Sequence, residues 1–255
     1  MANKSANAVV VGGAKGIGEA VVRRLVVSGK CASVLIADID RESMEELQSA
    51  LSEADCEVII CEVDVRDEAS VAELVEASRG TDAVVISTGI FAASSSTETS
   101  REEFRRIWEV NCEGVFFVAQ AFARQMGASN GGSIVALTSI AARMPRMRQA
   151  AYSSSKAGLR QALRVLAMEV AALGVRINTV APGPTDTEMM RQLSRDHSSI
   201  NDLAQGSPDA FRPRIPMGKV ATADEIAEAV EFLLLHGHHI TMSDLVVDGG
   251  ELLGM

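Results

Sequence analysis

Tyr152 and Lys156 are the residues whose types and spacing point most directly to chemistry. They are four positions apart, so on a helix both side chains leave the same face and the ammonium can lie beside the phenol. A nearby cation favours the phenolate, which makes a tyrosine usable as a general base. Ser139 ends a strand-like run, so its hydroxyl would stand at the carboxyl end of a strand, where open α/β sheets bind ligands. A Tyr-x-x-x-Lys pair also occurs on ordinary solvated helix faces, so its interpretation depends on the rest of the chain.

A glycine-rich loop lies near the start of the chain. The β-rich run Ala8–Gly12 leads into Gly12-Gly-Ala-Lys-Gly-Ile-Gly18, and apolar residues at helical spacing follow up to Val27. Such glycines let the backbone approach a pyrophosphate closely, and the helix N-terminus supplies free N–H groups and the positive end of its dipole. The order strand, loop, helix therefore predicts a dinucleotide site that includes Gly12, Lys15, Gly16, Ile17 and Gly18.

Asp38 ends the second β-rich run, twenty residues after Gly18. A carboxylate there can accept hydrogen bonds from the adenosine ribose hydroxyls and would repel a 2′-phosphate, which favours NAD over NADP. The alternative is that Asp38 only caps the helix that begins near Arg41. Lys15 beside the loop could attract a 2′-phosphate, but repulsion at Asp38 outweighs an exposed lysine, so we predict NAD as the cofactor.

The rest of the chain repeats the order of strand and helix. Short β-rich runs end at Asp64, Ser87 and Leu137, with helical periodicity between them. We therefore expect residues 1–255 to form one α/β domain, a doubly wound parallel sheet of the Rossmann type with helices on both faces. Asp64 and Val65 would meet the adenine edge of the dinucleotide, although Asp64 could equally cap the next helix.

Two segments depart from this regular pattern. Asn111 lies inside a long predicted helix, where asparagine is unfavourable, so it is either exposed or held for its hydrogen bonds. After Pro182-Gly183-Pro184 the chain is polar and weakly periodic as far as about Pro216. A long irregular segment after a strand's carboxyl end is usually functional, so we expect a substrate lid at about 184–215. A disordered surface loop is the alternative.

Composition limits the possible partners and compartments. The 255 residues carry a net charge of −10, which argues against nucleic acid and anionic membranes as partners. No apolar run reaches the length of a membrane span and the polar start lacks the apolar centre of a signal peptide, so a cytoplasmic location is expected. The four cysteines lack the spacing of a zinc site or disulfide framework, and we predict no metal site.

These motifs occur together in one order over nearly the whole chain. The set is Gly12-x-x-x-Gly16-Ile-Gly18, Asn111, Ser139, Tyr152-x-x-x-Lys156, Pro182-Gly183 and Val247-Asp-Gly-Gly250. It resembles the short-chain dehydrogenase/reductase family. The resemblance implies that Tyr152 is the general acid/base, that Lys156 lowers its pKa and holds the nicotinamide ribose, that Ser139 positions the reacting oxygen and that Asn111 supports a proton relay. It further implies contacts to NAD from Ile39, Asp64, Val65, Gly89, Tyr152, Lys156, Pro182, Gly183, Thr185 and Thr187.

A narrower set of motifs is similar to those of 2,3-dihydro-2,3-dihydroxybenzoate dehydrogenases. It comprises Gly13-Ala-Lys-Gly-Ile-Gly18, Pro145-Arg146, Thr185-Asp-Thr-Glu-Met189 with Arg191, Ile215-Pro-Met-Gly-Lys219 and His239-Ile-Thr-Met-Ser-Asp244. This likeness implies oxidation of a ring alcohol in a cyclohexadiene carboxylate with NAD, followed by tautomerisation to a catechol of siderophore biosynthesis. It also implies a homotetramer.

The resemblance implies a small anionic cyclic substrate, and the charge pattern agrees with its negative charge. From Gly114 to Met168 there is no Asp or Glu, and six arginines and Lys156 fall in that span. Arg146 and Arg191 are the candidates for the substrate carboxylate, because a guanidinium can bind it bidentately. Ser139, Tyr152 and Met189 complete the predicted substrate site.

Three other functions stay open at this point. Oxidation of trans-2,3-dihydro-3-hydroxyanthranilate would use the same chemistry on a substrate with an amine at C2. A general secondary-alcohol dehydrogenase of the same fold is a second alternative. A catalytically idle dinucleotide sensor is a third, although the presence of Ser139, Tyr152 and Lys156 together argues against it.

Overall fold

The computed structural model of the protein describes residues 6–193 and 200–253. Its strands are β1 (Ala6–Val11), β2 (Cys31–Asp38), β3 (Glu57–Glu62), β4 (Ala83–Ile86), β5 (Gly132–Leu137), β6 (Val175–Pro182), β7 (Thr185–Asp186), β8 (Ala221–Thr222) and β9 (Asp244–Val247). Seven of them form one parallel sheet in the order β3-β2-β1-β4-β5-β6-β9. The short strands β7 and β8 pair separately.

Helices connect the strands, as the alternating sequence pattern predicts. They are α1 (Gly16–Val27), α2 (Arg41–Ala50), α3 (Glu68–Ala77), α4 (Arg101–Trp108), α5 (Val115–Gly127), α6 (Ala150–Val170), α7 (Glu188–Leu193) and α8 (Ala223–Glu231). A π-helical segment, Glu109–Gly114, joins α4 to α5, and a 3-10 turn, Ile140–Ala142, follows β5. Part of the predicted lid, residues 194–199, lies outside the described residues.

The core has two layers because both faces of the sheet are covered. Alternate residues of a strand point to opposite faces, so Val9 and Val11 of β1 belong to one apolar cluster and Ala8 and Val10 to the other. Helices α3, α5 and α6 cover the first face, and α1, α2 and α8 cover the second. The prediction of a single-domain, doubly wound parallel sheet is confirmed.

The strand order reverses between β1 and β4, which both pair in the centre of the sheet. At such a point the connections leave toward opposite faces and a crevice opens beyond the carboxyl ends of the strands. The glycine loop follows β1, and the loop that contains Gly89 follows β4, so both border this crevice. Within the part of the chain that the structure describes, none of the helices combines the length and apolarity that a membrane span requires.

Candidate active site

A cleft of about 990 Å³ runs along the carboxyl ends of the central strands. One end is lined by the glycine loop and Asp38, and the middle by Ser139 and Tyr152. The other end includes Arg146 and Arg212. A cleft of this size and shape can hold a dinucleotide with a small ring beside it, and its polar groups lie at defined positions in a mostly apolar lining.

The glycine loop has a backbone that side chains would disrupt. Gly12 has φ +76°, and a Cβ there would lie 2.5 Å from the backbone nitrogen of Thr88. A Cβ at Gly18 would lie 1.9 Å from the carbonyl oxygen of Gly12, so Gly18 lets α1 pack directly on the loop. Gly16 starts α1 and borders the cleft opposite Thr187. The backbone thus forms a cradle that fits a pyrophosphate at the N-terminus of α1.

Asp38 stands at the end of β2 and is held over this loop. Its Oδ2 accepts a hydrogen bond from the Ala14 N–H at 3.1 Å, and its Oδ1 accepts one from the Asp40 N–H at 3.2 Å. The alternative that Asp38 caps α2 is not what the structure shows, because Asp40 is the cap and accepts from the Ser43 N–H. Asp38 therefore lines the cleft with a fixed orientation.

Lys15 pairs with Asp40 rather than facing the cleft as a free cation. Its Nζ lies 2.8 Å from Asp40 Oδ2. The hydrogen bond from Lys15 holds the pKa of Asp40 at about 2, and the same contact raises the pKa of Lys15. The carboxylate offsets the charge of Lys15, which weakens any attraction between this lysine and a 2′-phosphate.

Tyr152 and Lys156 lie in the first two turns of α6, and both line the cleft. Lys156 is 3% exposed, and its ammonium donates to the carbonyl oxygen of Leu137 at 2.9 Å. The Tyr152 ring packs against Phe91, with 4.8 Å between the ring centroids. Ser139 follows β5 and accepts from the Ala141 N–H at 3.1 Å, and its side chain opposes the rise in the pKa of the neighbouring Tyr152. The structure thus places three of the four predicted catalytic residues, Ser139, Tyr152 and Lys156, on the wall of one cleft.

Burial shifts the pKa values of Tyr152 and Lys156. It raises the pKa of Tyr152 above its ordinary value, and the side chain of Ser139 opposes this increase. Burial also lowers the pKa of Lys156 to about 8. Lys156 is not among the causes of the shift at Tyr152, so the prediction that Lys156 lowers the pKa of Tyr152 stays a prediction.

Asn111 is the buried partner of the loop after β4. It lies in the π-helical segment, is 0% exposed, accepts from the Ile90 N–H at 2.7 Å and donates to the Ile90 carbonyl at 2.8 Å. A Cβ at Gly89 would lie 3.3 Å from Lys156 Nζ and 3.4 Å from Asn111 Oδ1. The sequence left open whether Asn111 is exposed or held for its hydrogen bonds, and the structure shows that it is buried and hydrogen-bonded. It supports the floor beneath Lys156 and does not itself line the cleft.

The other predicted cofactor residues line the same cleft. Asp64 is held by Arg66, which donates to both carboxylate oxygens, while Asp67 caps α3, so Asp64 is not the cap. The remaining residues of this group on the cleft wall are Ile17, Ile39, Val65, Gly89, Pro182, Gly183, Thr185 and Thr187.

The arginines divide into those that reach the cleft and those that do not. Arg146 lines the cleft, as does Met189. Arg191 does not, because its guanidinium pairs with Asp186 at 2.7 Å and is mostly exposed. Arg143 and Arg160 both pair with Asp244, at 2.7 and 2.6 Å, so much of the basic span serves the fold. The arginines between residues 114 and 168 therefore do not all indicate an anionic substrate, because Arg143 and Arg160 serve the fold.

Two residues of the cleft region escaped the sequence reasoning. Arg212 lines the substrate end, and buried Glu251 pairs with both Arg146 and Arg212. The sequence does contain a signal that Glu251 is buried, because this glutamate stands between a Gly-Gly turn and two leucines. Nothing in the local sequence marks Arg212 among the several arginines around it.

The comparisons with known proteins agree with this geometry. A family model described as enoyl-(acyl carrier protein) reductase matches residues 12–251. The chain is 36% identical to a 2,3-dihydro-2,3-dihydroxybenzoate dehydrogenase of Bacillus subtilis (strain 168), over 97% of this chain and 96% of that protein. It is 34% identical to the enzyme of the same name from Escherichia coli (strain K12), over 97% of each chain.

Solved structures lead to the same family. One is described as a short chain dehydrogenase/reductase family protein, and it superposes with a TM-score of 0.83 at 30% identity over 98% of each chain. The agreement in fold and length accompanies the tyrosine, lysine and serine that line one cleft. The chain belongs to the short-chain dehydrogenase/reductase family and is an oxidoreductase that acts on a CH–OH donor.

Proposed function

We propose that this protein catalyses the NAD-dependent oxidation of a ring secondary alcohol in a cyclohexadiene carboxylate, converting 2,3-dihydro-2,3-dihydroxybenzoate to 2,3-dihydroxybenzoate for a catechol siderophore. The observation that carries the proposal is the cleft itself. A pyrophosphate cradle, a tyrosine and serine pair and a buried arginine follow one another along it. The names of the relatives support the substrate class.

Each side chain has a distinct task in this reaction. Tyr152 removes the proton of the substrate hydroxyl, and Ser139 hydrogen-bonds the same oxygen and orients it. Lys156 lies at the floor where the nicotinamide ribose would rest, and Asn111 fixes that floor through Ile90. NAD, when bound, supplies the hydride acceptor. The ketone product then tautomerises, since a proton leaves the ring carbon at C2 and the ketone oxygen gains one, and the resulting aromatic ring makes the oxidation strongly favourable.

The choice of NAD follows from the cradle. Asp38 is oriented by two backbone N–H groups at the end of β2, where the adenosine ribose would lie. Its charge would repel a 2′-phosphate, and Lys15 is already paired with Asp40. The geometry therefore supports NAD over NADP.

We also propose a homotetramer in the cytoplasm. Exposed apolar side chains on α5 and α6, including Phe117, Val165 and Met168, support an oligomer, because a subunit interface would cover them. Light scattering coupled to size-exclusion chromatography measures the mass directly. A monomer at micromolar concentration would exclude the tetramer.

The function is tested by following nicotinamide reduction with a panel of substrates. The panel contains 2,3-dihydro-2,3-dihydroxybenzoate, its 2-amino analogue, a cyclic dihydrodiol without the carboxylate and simple secondary alcohols. We expect the hydroxy carboxylate to give the highest kcat/KM. Preference for the amino analogue would assign the protein to dihydrohydroxyanthranilate oxidation, and equal rates with and without the carboxylate would indicate a general alcohol dehydrogenase.

A Tyr152→Phe variant distinguishes an enzyme from a dinucleotide sensor. Removal of the hydroxyl eliminates the proton acceptor and leaves the packing against Phe91 in place. We expect turnover to fall at least about a hundredfold, because general acid–base catalysis contributes on that scale, while NAD binding stays within about twofold. Because burial raises the pKa of Tyr152, we also expect kcat/KM for oxidation to rise with pH above neutrality. Retained turnover in the variant would contradict the proposed mechanism.

A further inference from the structure

A buried charge cluster forms the wall of the cleft at its substrate end. Glu251 lies beyond β9 and is 0% exposed. Its Oε1 is 2.7 Å from Arg146 Nη2 and 3.3 Å from Arg212 Nε. The three residues come from the loop before α6, the segment after the 3-10 turn Ile200–Gln205, and the C-terminal turn. Only the fold brings them together.

The cluster has more positive than negative charge. Two guanidiniums share a single carboxylate, and the side chains of Arg146 and Arg212 are only 10% and 19% exposed. Burial lowers the pKa of Arg212, and the charge of Arg146 acts in the same direction, whereas Glu251 opposes both. One buried positive charge therefore lacks a counter-charge within the cluster, an arrangement that is costly in a protein interior.

The cluster also has unused hydrogen-bonding groups. Among the described residues, Arg146 Nη1 and Glu251 Oε2 are buried and have no hydrogen-bond partner. Buried polar groups are nearly always satisfied, so each exception needs an explanation, and a bound ligand is one such explanation. Arg146 and Arg212 both line the cleft that contains Ser139 and Tyr152. A ligand in this cleft can therefore approach both guanidiniums.

We propose that Arg212 joins Arg146 in binding the carboxylate of the ring substrate, and that Glu251 is the positioning residue that holds the two guanidiniums against each other. The inference rests on the proposed function and extends it, since it replaces Arg191 with Arg212 as the second arginine. A carboxylate supplies the missing negative charge and planar acceptor oxygens for the guanidinium donors. Arg212 also donates to the carbonyl oxygen of Leu203, which anchors its side chain beside the cleft.

The decisive measurement compares two aromatic ligands that differ only in the carboxylate. Kd values for 2,3-dihydroxybenzoate and for catechol are measured by fluorescence titration with NAD present. We expect Arg212→Gln and Arg146→Gln each to reduce the preference for the carboxylate at least about tenfold, the range of a hydrogen bond to a charged group. Arg214→Gln is the matched control, because Arg214 lies in the same segment, is exposed and does not line the cleft. It should keep the wild-type preference.

An unchanged preference in Arg212→Gln would overturn the proposal, as would a loss seen in Arg191→Gln and not in Arg212→Gln. If Arg212→Gln fails to fold, Arg212→Lys provides the same test, since it keeps the charge and loses the planar fork, and a partial loss is expected. The ligand titration does not require turnover. A wild-type protein that oxidises no dihydrodiol carboxylate would refute the proposed function separately.

Glu251→Gln tests the positioning role. Its amide has the shape of the carboxylate but no charge, so the two guanidiniums repel each other. We expect KM for the carboxylate substrate to rise at least about fivefold with kcat changed less than about twofold, and Glu251→Asp to restore part of the loss. If Glu251→Gln lowers Tm but leaves KM and the carboxylate preference unchanged, Glu251 is only structural and the positioning role is wrong.

Discussion

Lys156 carries a positive charge that the fold keeps almost entirely out of water. The residue is 3% exposed, and its Nζ donates a hydrogen bond to the Leu137 carbonyl oxygen at 2.9 Å. Burial lowers its pKa from 10.5 to about 8. Substitution of Lys156 by methionine keeps much of the length and removes the charge. The difference in the free energy of unfolding between this variant and the wild type measures how much the buried charge of Lys156 destabilises the fold.

The sign and size of the effect follow from proton linkage. Because the pKa is lower in the folded protein, the unfolded protein binds more protons between pH 8 and 10.5, and the stability of the wild type rises with pH across that window. The charged lysine costs the fold about 3 kcal/mol at pH 7 and about 1.5 kcal/mol at pH 9.5. Methionine loses one hydrogen bond, worth about 1 kcal/mol. We therefore expect Lys156→Met to be more stable than wild type by about 2 kcal/mol at pH 7, and by less than about 1 kcal/mol at pH 9.5.

Urea unfolding followed by circular dichroism, without added dinucleotide, gives the free energies of unfolding at the two pH values. Lys15→Met is the control, because Lys15 is 58% exposed in its side chain and pairs with Asp40 at the surface. A surface pair contributes about 0–1 kcal/mol, so this variant should be slightly less stable than wild type by a similar amount at both pH values. Lys156→Met should also lose turnover.

Two results would refute the reasoning. In the first, Lys156→Met is less stable than wild type at both pH values, which would mean that the ammonium stabilises its site. In the second, the stability difference is the same at pH 7 and pH 9.5, which would mean that the lysine does not release its proton in the folded protein within that range.

Three further predictions follow from the same structure. Asp38→Ser should reduce the preference for NAD over NADP at least about tenfold, measured as the ratio of kcat/KM values, and an unchanged ratio would show that Asp38 does not select the cofactor. Gly18→Ala should lower Tm and weaken NAD binding in calorimetry, since its Cβ would lie 1.9 Å from the Gly12 carbonyl, and wild-type affinity would contradict that geometry. Asp244→Asn should reduce the free energy of unfolding by about 3 kcal/mol at pH 7, because Arg143 and Arg160 lose their shared counter-charge, and a change below about 1 kcal/mol would show that the pairs are weak.

The fold could be predicted because its signals are local and repeat along the chain. Short β-rich runs such as the one before Gly12 alternate with helical periodicity, and few topologies accept that order. The glycine loop was recognisable for the same reason, since a strand, a loop that excludes side chains and a helix are adjacent in sequence. The catalytic roles of Tyr152, Lys156, Ser139 and Asn111 stay predictions, although the structure gathers all four around the cleft floor.

Side-chain pairing could not be predicted, because the partner of a charged group is usually distant in sequence. Arg143 and Arg160 belong to the basic span that suggested an anionic substrate. Both instead bind Asp244, which lies 101 and 84 positions away in the chain. Arg191 looked equivalent to Arg146, but a short contact with Asp186 keeps it away from the cleft. The pKa of Tyr152 could not be predicted from the sequence either, because the burial that raises it depends on every element packed around the side chain.

The order of strands and helices, the glycine cradle and the spacing of Tyr152 and Lys156 can be read from the chain alone, because backbone preferences and helical periodicity act over a few residues. Which arginines reach the substrate end, and which acid accompanies them, depends on the folded structure. Electrostatic energy depends on distance and burial in three dimensions, and the chain order of Arg146, Arg212 and Glu251 contains neither.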